Sequence, residues 1–297
     1  MKSQATRALL CGAIVCLTTL TVSAGTIFVN NVGGDDRFDG TAATRDSGRV
    51  GPVRTLHRAV RLANFGDTIV IANEGQPYYE SLTLTGGKHS GNATVPFRVI
   101  GNGATLSGLW SVPTECWRQH DGNVWSFEPI HKGHYLLRKD GRKLEQVEVG
   151  SYLEQPVGLP AGKFAVYKGR VFYKPERGED IQEHSFDMAQ RTTGVSLYGV
   201  RNVIIRDLNV QHFRVDGLNA HSLCRDVVVN NLTSTHNGRS GLTVAGSSSI
   251  VFRRCDVKDN LIDSLRIMER GEADLQDSEL DVEPSLIREV SSFGFGY

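Results

Sequence analysis

The chain has 297 residues, and its 33 Lys and Arg balance 33 Asp and Glu, so its formal charge at neutral pH is zero. Such a surface argues against a nucleic-acid-binding protein, because neutralising phosphates takes a basic stripe, although a local basic groove could still meet a polyanion. No apolar run approaches the roughly 20 residues of a membrane-spanning helix.

The N-terminus carries Lys2 and Arg7, an apolar stretch from Ala8 to Leu20, and the small-residue site Val22-Ser23-Ala24. This pattern predicts a secretory signal peptide over residues 1–24. The expected product is soluble and secreted or periplasmic, without membrane attachment after cleavage and without a lipid anchor. Removing Lys2 and Arg7 takes the basic count from 33 to 31. Three cysteines remain, Cys116, Cys224 and Cys255, an odd number at unrelated spacings. They are expected as small buried apolar residues, not as a disulfide framework.

Residues 25–108 open with "IFVNNVGGDDRFDGTA", a strand followed by an acidic, glycine-rich turn, and continue with "PVRTLHRAVRLANFGDTIVIANEG". Leu56, Ala59, Val60 and Ala63 fall on one face of a predicted helix, which can cover the open end of an apolar stack. Asp35, Asp36 and Asp39 offer oxygen ligands, yet their spacing is not that of a calcium loop. A solvated turn is expected, and no cofactor is predicted.

Residues 109–190 hold all three tryptophans, Trp110, Trp117 and Trp125, together with Tyr135, Tyr152, Tyr167 and Tyr173. They read as a β-rich insertion. "KFAVYKGRVFYKP" alternates on both sides of a Lys-Gly pair, which predicts a hairpin. The tryptophans could stack on sugar rings or fill the insertion's own core. "HKGH", His131 to His134, lacks a partner ligand motif and is taken as hairpin surface.

From residue 191 the sequence repeats. Gly194, Gly217, Gly241 and Ser264 recur at intervals of 23, 24 and 23 residues, each followed by Val195, Leu218, Leu242 or Leu265. Further apolar columns are Val203, Val227, Ile250 and Ala273, then Ile205, Val229, Phe252 and Leu275, then Leu208, Leu232, Cys255 and Ser278. Three short alternating segments per repeat predict three strands, and stacked repeats give a parallel β-helix, an all-β fold. Glycine marks a bend where a side chain would crowd the turn. Asn237 and Asn260 predict an asparagine ladder at another bend, interrupted by Phe213. At the C-terminus, Leu286, Ile287, Val290 and Phe293 either fold back as a cap or precede further coils.

With these glycine-marked columns and this N-terminal opening, the chain resembles the right-handed parallel β-helix proteins of the pectate-lyase-like superfamily, over roughly residues 26–108 and 191–280. The resemblance implies an N-terminal capping helix, an insertion flanking a substrate groove, and a polysaccharide or oligosaccharide partner. Since the scaffold serves lyases, hydrolases and structural proteins alike, it fixes fold more than function.

Residues in one column of stacked coils lie about 4.8 Å apart per coil, so Asp216 and Asp263, two coils apart, would be separated by about 9.6 Å. That spacing suits two carboxylates flanking a bond with room for a water. "VDG" with Asp216 matches one aspartate of polygalacturonase-like enzymes. The next coils depart from that pattern, with Arg239-Ser240 in place of paired aspartates and Asp263 in place of a histidine, which counts against polygalacturonase activity itself. A second column, His212, His236 and Asp259, could supply a base or a metal site. Ser196, Asn219, Thr243 and Arg266 point outward as candidates for sugar binding, and Arg239 and Lys258 could neutralise an acidic sugar. The leading expectation is a glycoside hydrolase with Asp216 and Asp263 as the acid pair and His236 assisting, and with Asn219, Arg239, Thr243 and Arg266 binding substrate. The alternatives are a non-catalytic carbohydrate-binding or surface protein and a polysaccharide lyase. Turn hydrogen bonding is the structural account of the same aspartates.

Overall fold

The computed structural model describes residues 24–150, 156 and 158–287. The predicted signal segment lies outside the described residues except for Ala24, and so do Tyr152, Val290 and Phe293. No helix among the described residues is long and apolar enough to cross a membrane.

Two parallel sheets build the stack. The first-strand sheet runs Leu82–Thr85, Thr193–Tyr198, Asp216–His221, Ser240–Val244, Asp263–Met268 and Ser285–Ile287 in spatial order. Val195, Leu218, Leu242 and Leu265 pair in register along it, each no more than 1% exposed. The second sheet holds Thr26–Val29, Thr68–Ile71, Phe97–Ser107, Arg201–Gln211, Arg225–Thr235, Ser249–Arg253 and Glu272–Gln276.

The second and third strands expected in each repeat merge into one eleven-residue strand in Arg201–Gln211 and Arg225–Thr235. A left-handed residue in mid-strand bends each of them, Asp207 at φ 58° and Asn231 at φ 52°. One coil later the left-handed Arg254 does separate two strands, Ser249–Arg253 and Asp256–Lys258. Polar residues with short side chains suit these bends because they tolerate left-handed geometry.

Space, not backbone angle, favours glycine at 194, 217 and 241, where three of the first strands begin. A Cβ on Gly217 would lie 2.0 Å from the Ser234 hydroxyl and 2.7 Å from the Gly241 carbonyl oxygen. Beside it the asparagine ladder forms. Asn237 donates its backbone N–H and its side-chain amide to Asn260 Oδ1 at 3.0 and 2.9 Å, and its own Oδ1 accepts from the Phe213 N–H at 3.0 Å. The left-handed residues at this corner are not the asparagines, as the sequence suggested, but the residues just before them: His212, His236 and Asp259. Asn237, buried, and Asn260, part-buried, serve as hydrogen-bond bridges between coils.

The helix Leu56–Leu62 buries Leu56 and Ala59, with Ala63 at its end, against the first turns of the stack. Asp36 holds its N-terminus by accepting from the Arg54 and Thr55 N–H groups, both at 2.9 Å, and from the Thr55 hydroxyl at 2.8 Å. The acidic turn is thus largely spent on local structure. At the opposite end Leu275, which pairs with the buried Phe252 in its column, is exposed. Cys224 and Cys255 are buried as expected; Cys116, on a short 3-10 turn of the insertion, is exposed.

The chain leaves the stack after Ser107 and rejoins it at Thr193. Gly108 O ties the two ends together, accepting from the N–H groups of Gln190 at 2.9 Å and Arg191 at 3.2 Å. Between them lie two four-stranded antiparallel sheets: Phe164–Tyr167, Arg170–Tyr173, Val124–Phe127 and Arg118–His120, and then Leu109–Ser111, Phe186–Ala189, Leu137–Lys139 and Arg142–Lys143. Trp117, Phe127, Tyr173, Phe186 and Met188 pack between them. The predicted hairpin turns at Lys168 and Gly169, both left-handed.

Candidate functional site

Because the insertion hangs from the corner where each coil enters its first strand, it stands beside the outward face of the first-strand sheet. A cleft of about 920 Å³ opens between them. Its floor is Thr83 and Ser196, which pair across neighbouring strands, with Thr193, Tyr198, Tyr79 and Ser81 beside them. Its wall is the insertion's edge, with Leu109, Trp110, Ser111 and Asp187, and its rim is formed by Ile130, His131 and Gln190. Tyr79 and Tyr198 are about half exposed. Of the three tryptophans only Trp110 lines this cleft, while Trp117 lies in the insertion core.

Asp187 is the one carboxylate among the described residues that lines the cleft. Its strand alternates Phe186 and Met188 into the insertion core, which turns Asp187 to the other side. Across the strands it stands opposite Ser111 on one side and Arg138 on the other. Burial raises its pKa above the ordinary aspartate value, outweighing the nearby Arg138 charge and the Ser111 hydrogen bond, which lower it. A carboxyl group that keeps its proton beside a cleft can serve as a general acid.

The sequence-derived candidates lie elsewhere on the same face. Asp216 and Asp263 do stand two coils apart in one column, each in register with Ser240 between them. Both are closed off. Asp216 is fully buried and accepts from Arg239 Nε at 2.9 Å and Nη2 at 2.6 Å and from Asn219 Nδ2 at 2.7 Å. Asp263 accepts from Arg266 Nε at 2.7 Å, with Nη2 at 2.5 Å. Of the residues expected to bind substrate, Arg239, Arg266 and Asn219 are therefore drawn onto these aspartates, and Thr243 is fully buried. None of the four lines the cleft.

The histidine column exists but sits at the corner, apart from this face. His212 is buried, its ring 5.5 Å from that of the exposed His236. Arg138 of the insertion places Nη1 against His212 Nε2 and Nη2 against the Gly141 carbonyl oxygen. Burial, Arg138 and His236 together push the His212 imidazole down to about 3. A guanidinium on the ring nitrogen disfavours a bound cation, and no metal-binding group of three or more His, Cys, Asp or Glu occurs among the described residues.

The family model "Right handed beta helix region" matches residues 176–295. The structure titled "The complex structure of XylC with xylose" superposes at a TM-score of 0.57, with 11% identity, covering 88% of this chain and 60% of that one. A structure titled "Glycoside hydrolase" gives 0.59 at 14% identity, covering 82% and 67%. The fold is a right-handed parallel β-helix. This β-helix spans about three fifths of the length of the XylC structure, and at such identities the likeness is one of fold. No curated protein matches its sequence.

The insertion's acid escaped sequence reasoning because it belongs to no repeat. The alternation in "SFDMAQ" was available and turns Asp187 away from Phe186 and Met188. What the sequence could not supply was which surface lay opposite.

Proposed function

We propose that this protein is a carbohydrate-active β-helix, a glycoside hydrolase that holds a polysaccharide or oligosaccharide in the cleft between the first-strand sheet and the insertion, with Asp187 as the proton donor. The observation that carries this reading is Asp187 itself, a half-buried carboxyl of raised pKa in a cleft whose aromatic and hydroxyl groups suit sugar rings. Tyr79, Tyr198 and Trp110 offer ring faces and edges for stacking, and Ser81, Thr83, Ser111 and Ser196 offer hydroxyl partners. In the proposed step Asp187 gives its proton to the glycosidic oxygen as that bond breaks, and water adds to the sugar carbon left behind and releases a proton to solvent, from which the Asp187 carboxylate is protonated again. The likeness in fold to a structure titled as a glycoside hydrolase is consistent with this reading.

Reducing-end release should be measured on a panel of neutral and acidic glycans. The hydrolase reading expects release from at least one glycan and a fall of about 10²- to 10⁴-fold in Asp187→Asn, the range of a lost general acid. Asp216→Asn belongs in the same assay. A loss there with Asp187→Asn unaffected would return the chemistry to the aspartate column. Activity should decline as pH rises through the raised Asp187 pKa, because only the protonated acid works.

Having a single carboxylate in the cleft lining favours a second reading, non-catalytic carbohydrate binding. Its signature is retention of a glycan without release.

A further inference from the structure

The insertion carries a second concavity, of about 350 Å³, on the side of its first sheet that faces away from the aromatic core. In-register pairing lines up Arg118, Ser126, Phe172 and Ala165 across this face. Arg118, His120, Tyr167, Lys168, Arg170 and Phe172 line the groove.

Its charge is one-sided. Arg118 and Lys168 have no ion pair among the described residues. Arg170 Nη2 lies 3.5 Å from Glu128 Oε2, and the same carboxylate is 3.4 Å from Lys132 Nζ. One acid thus serves two cations, while two more have no ion pair among the described residues. Lys168 holds its ammonium 5.2 Å from the centre of the Tyr167 ring, and the His120 ring lies 5.6 Å from that of Phe172. Lys168 also occupies a left-handed turn position at φ 48°, where Asn or Gly is the ordinary choice, so the turn itself does not ask for a lysine.

We propose that this groove binds an anionic saccharide unit, a sugar bearing a carboxylate or a sulfate ester. The cations supply the charge-assisted hydrogen bonds such a group needs, and the half-buried Tyr167 and His120 rings offer apolar surface to the carbon face of a sugar, with Phe172 buried beneath them. A saccharide is favoured over a nucleic acid because the groove is short and the molecule's net charge is zero, leaving no basic stripe along a phosphate backbone. The groove is distinct from the cleft and independent of Asp187. The segment from Glu128 to Lys132 separates them, contacting Arg170 on one side and lining the cleft with Ile130 and His131 on the other.

Affinity gel electrophoresis of the full chain tests the proposal, with polygalacturonate, dextran sulfate, uncharged dextran and duplex DNA as probes. The double variant Arg118→Gln, Lys168→Asn removes both unpaired cations and keeps a residue suited to the turn, and near-UV circular dichroism checks its fold. The expected result is retardation by polygalacturonate or dextran sulfate, identifying the carboxylate or the ester, and none by dextran. The double variant should weaken it roughly tenfold or more, since two charge-assisted contacts are lost. The proposal is overturned if neither polyanionic glycan retards the protein, if the folded double variant is retarded like the wild type, or if DNA binds as strongly as the glycans. None of these outcomes depends on whether the cleft hydrolyses anything.

Discussion

A carboxyl group holds its proton to higher pH when it loses hydration without gaining an equal partner, as Asp187 does; Asp216 differs from it in burial and in partners. Asp216 is fully buried, yet two guanidinium nitrogens and an amide satisfy it. Asp187 is half-buried, and the Arg138 charge only partly offsets its desolvation. His212 shows the same physics for a base. With its folded pKa near 3, well below the value of about 6.5 expected when unfolded, it binds fewer protons folded than unfolded between those limits. It therefore favours unfolding on acidification, a penalty absent above about pH 6.5 that grows as pH falls. His212→Asn keeps a residue suited to the left-handed bend, and it should lose less stability than the wild type between pH 7 and pH 5 in denaturant titrations. An unchanged pH slope would show that the imidazole is not held neutral.

At the scale of the element, the coil's corner explains which parts of the sequence were informative. Glycine at 194, 217 and 241 repeats because each corner is closed by its neighbours. At Gly217 the nearest backbone atom is a carbonyl oxygen that cannot move without shifting the next coil. Gly217→Ala should cost about 1–3 kcal/mol by overpacking, lowering the denaturant midpoint, whereas Gly48→Ala meets no atom within 4 Å and is disfavoured only by its left-handed φ of 59°. The ladder of Asn237 and Asn260 was legible for the same reason, since a buried amide that bridges coils must recur at the coil period. The bends were harder to read. Asp207, Asn231, His212 and His236 are left-handed, and His, like Asn and Asp, is enriched in that region, yet a histidine in a column also reads as a base or a metal ligand.

For the whole molecule, periodicity specified the stack and was silent about the insertion. Column arithmetic placed Val195, Leu218, Leu242 and Leu265 in one internal row, and it put Asp216 and Asp263 two coils apart in one column. It could not show that Arg239 and Arg266 close over both aspartates, because side-chain direction along a column is set by local pairing. Nor could it find the cleft, which arises where a non-repeating insertion returns through Gly108 to stand over Thr83 and Ser196. The proposed site thus combines a scaffold that repeats with a wall that does not.

The most direct test is a crystal structure of Asp187→Asn bound to an oligosaccharide that the wild-type protein cleaves. The account predicts sugar rings between Trp110 and Tyr198, with the scissile glycosidic oxygen within hydrogen-bonding reach of residue 187. An oligosaccharide lying instead across Asn219, Thr243 and Arg266, with its scissile bond between Asp216 and Asp263, would contradict it.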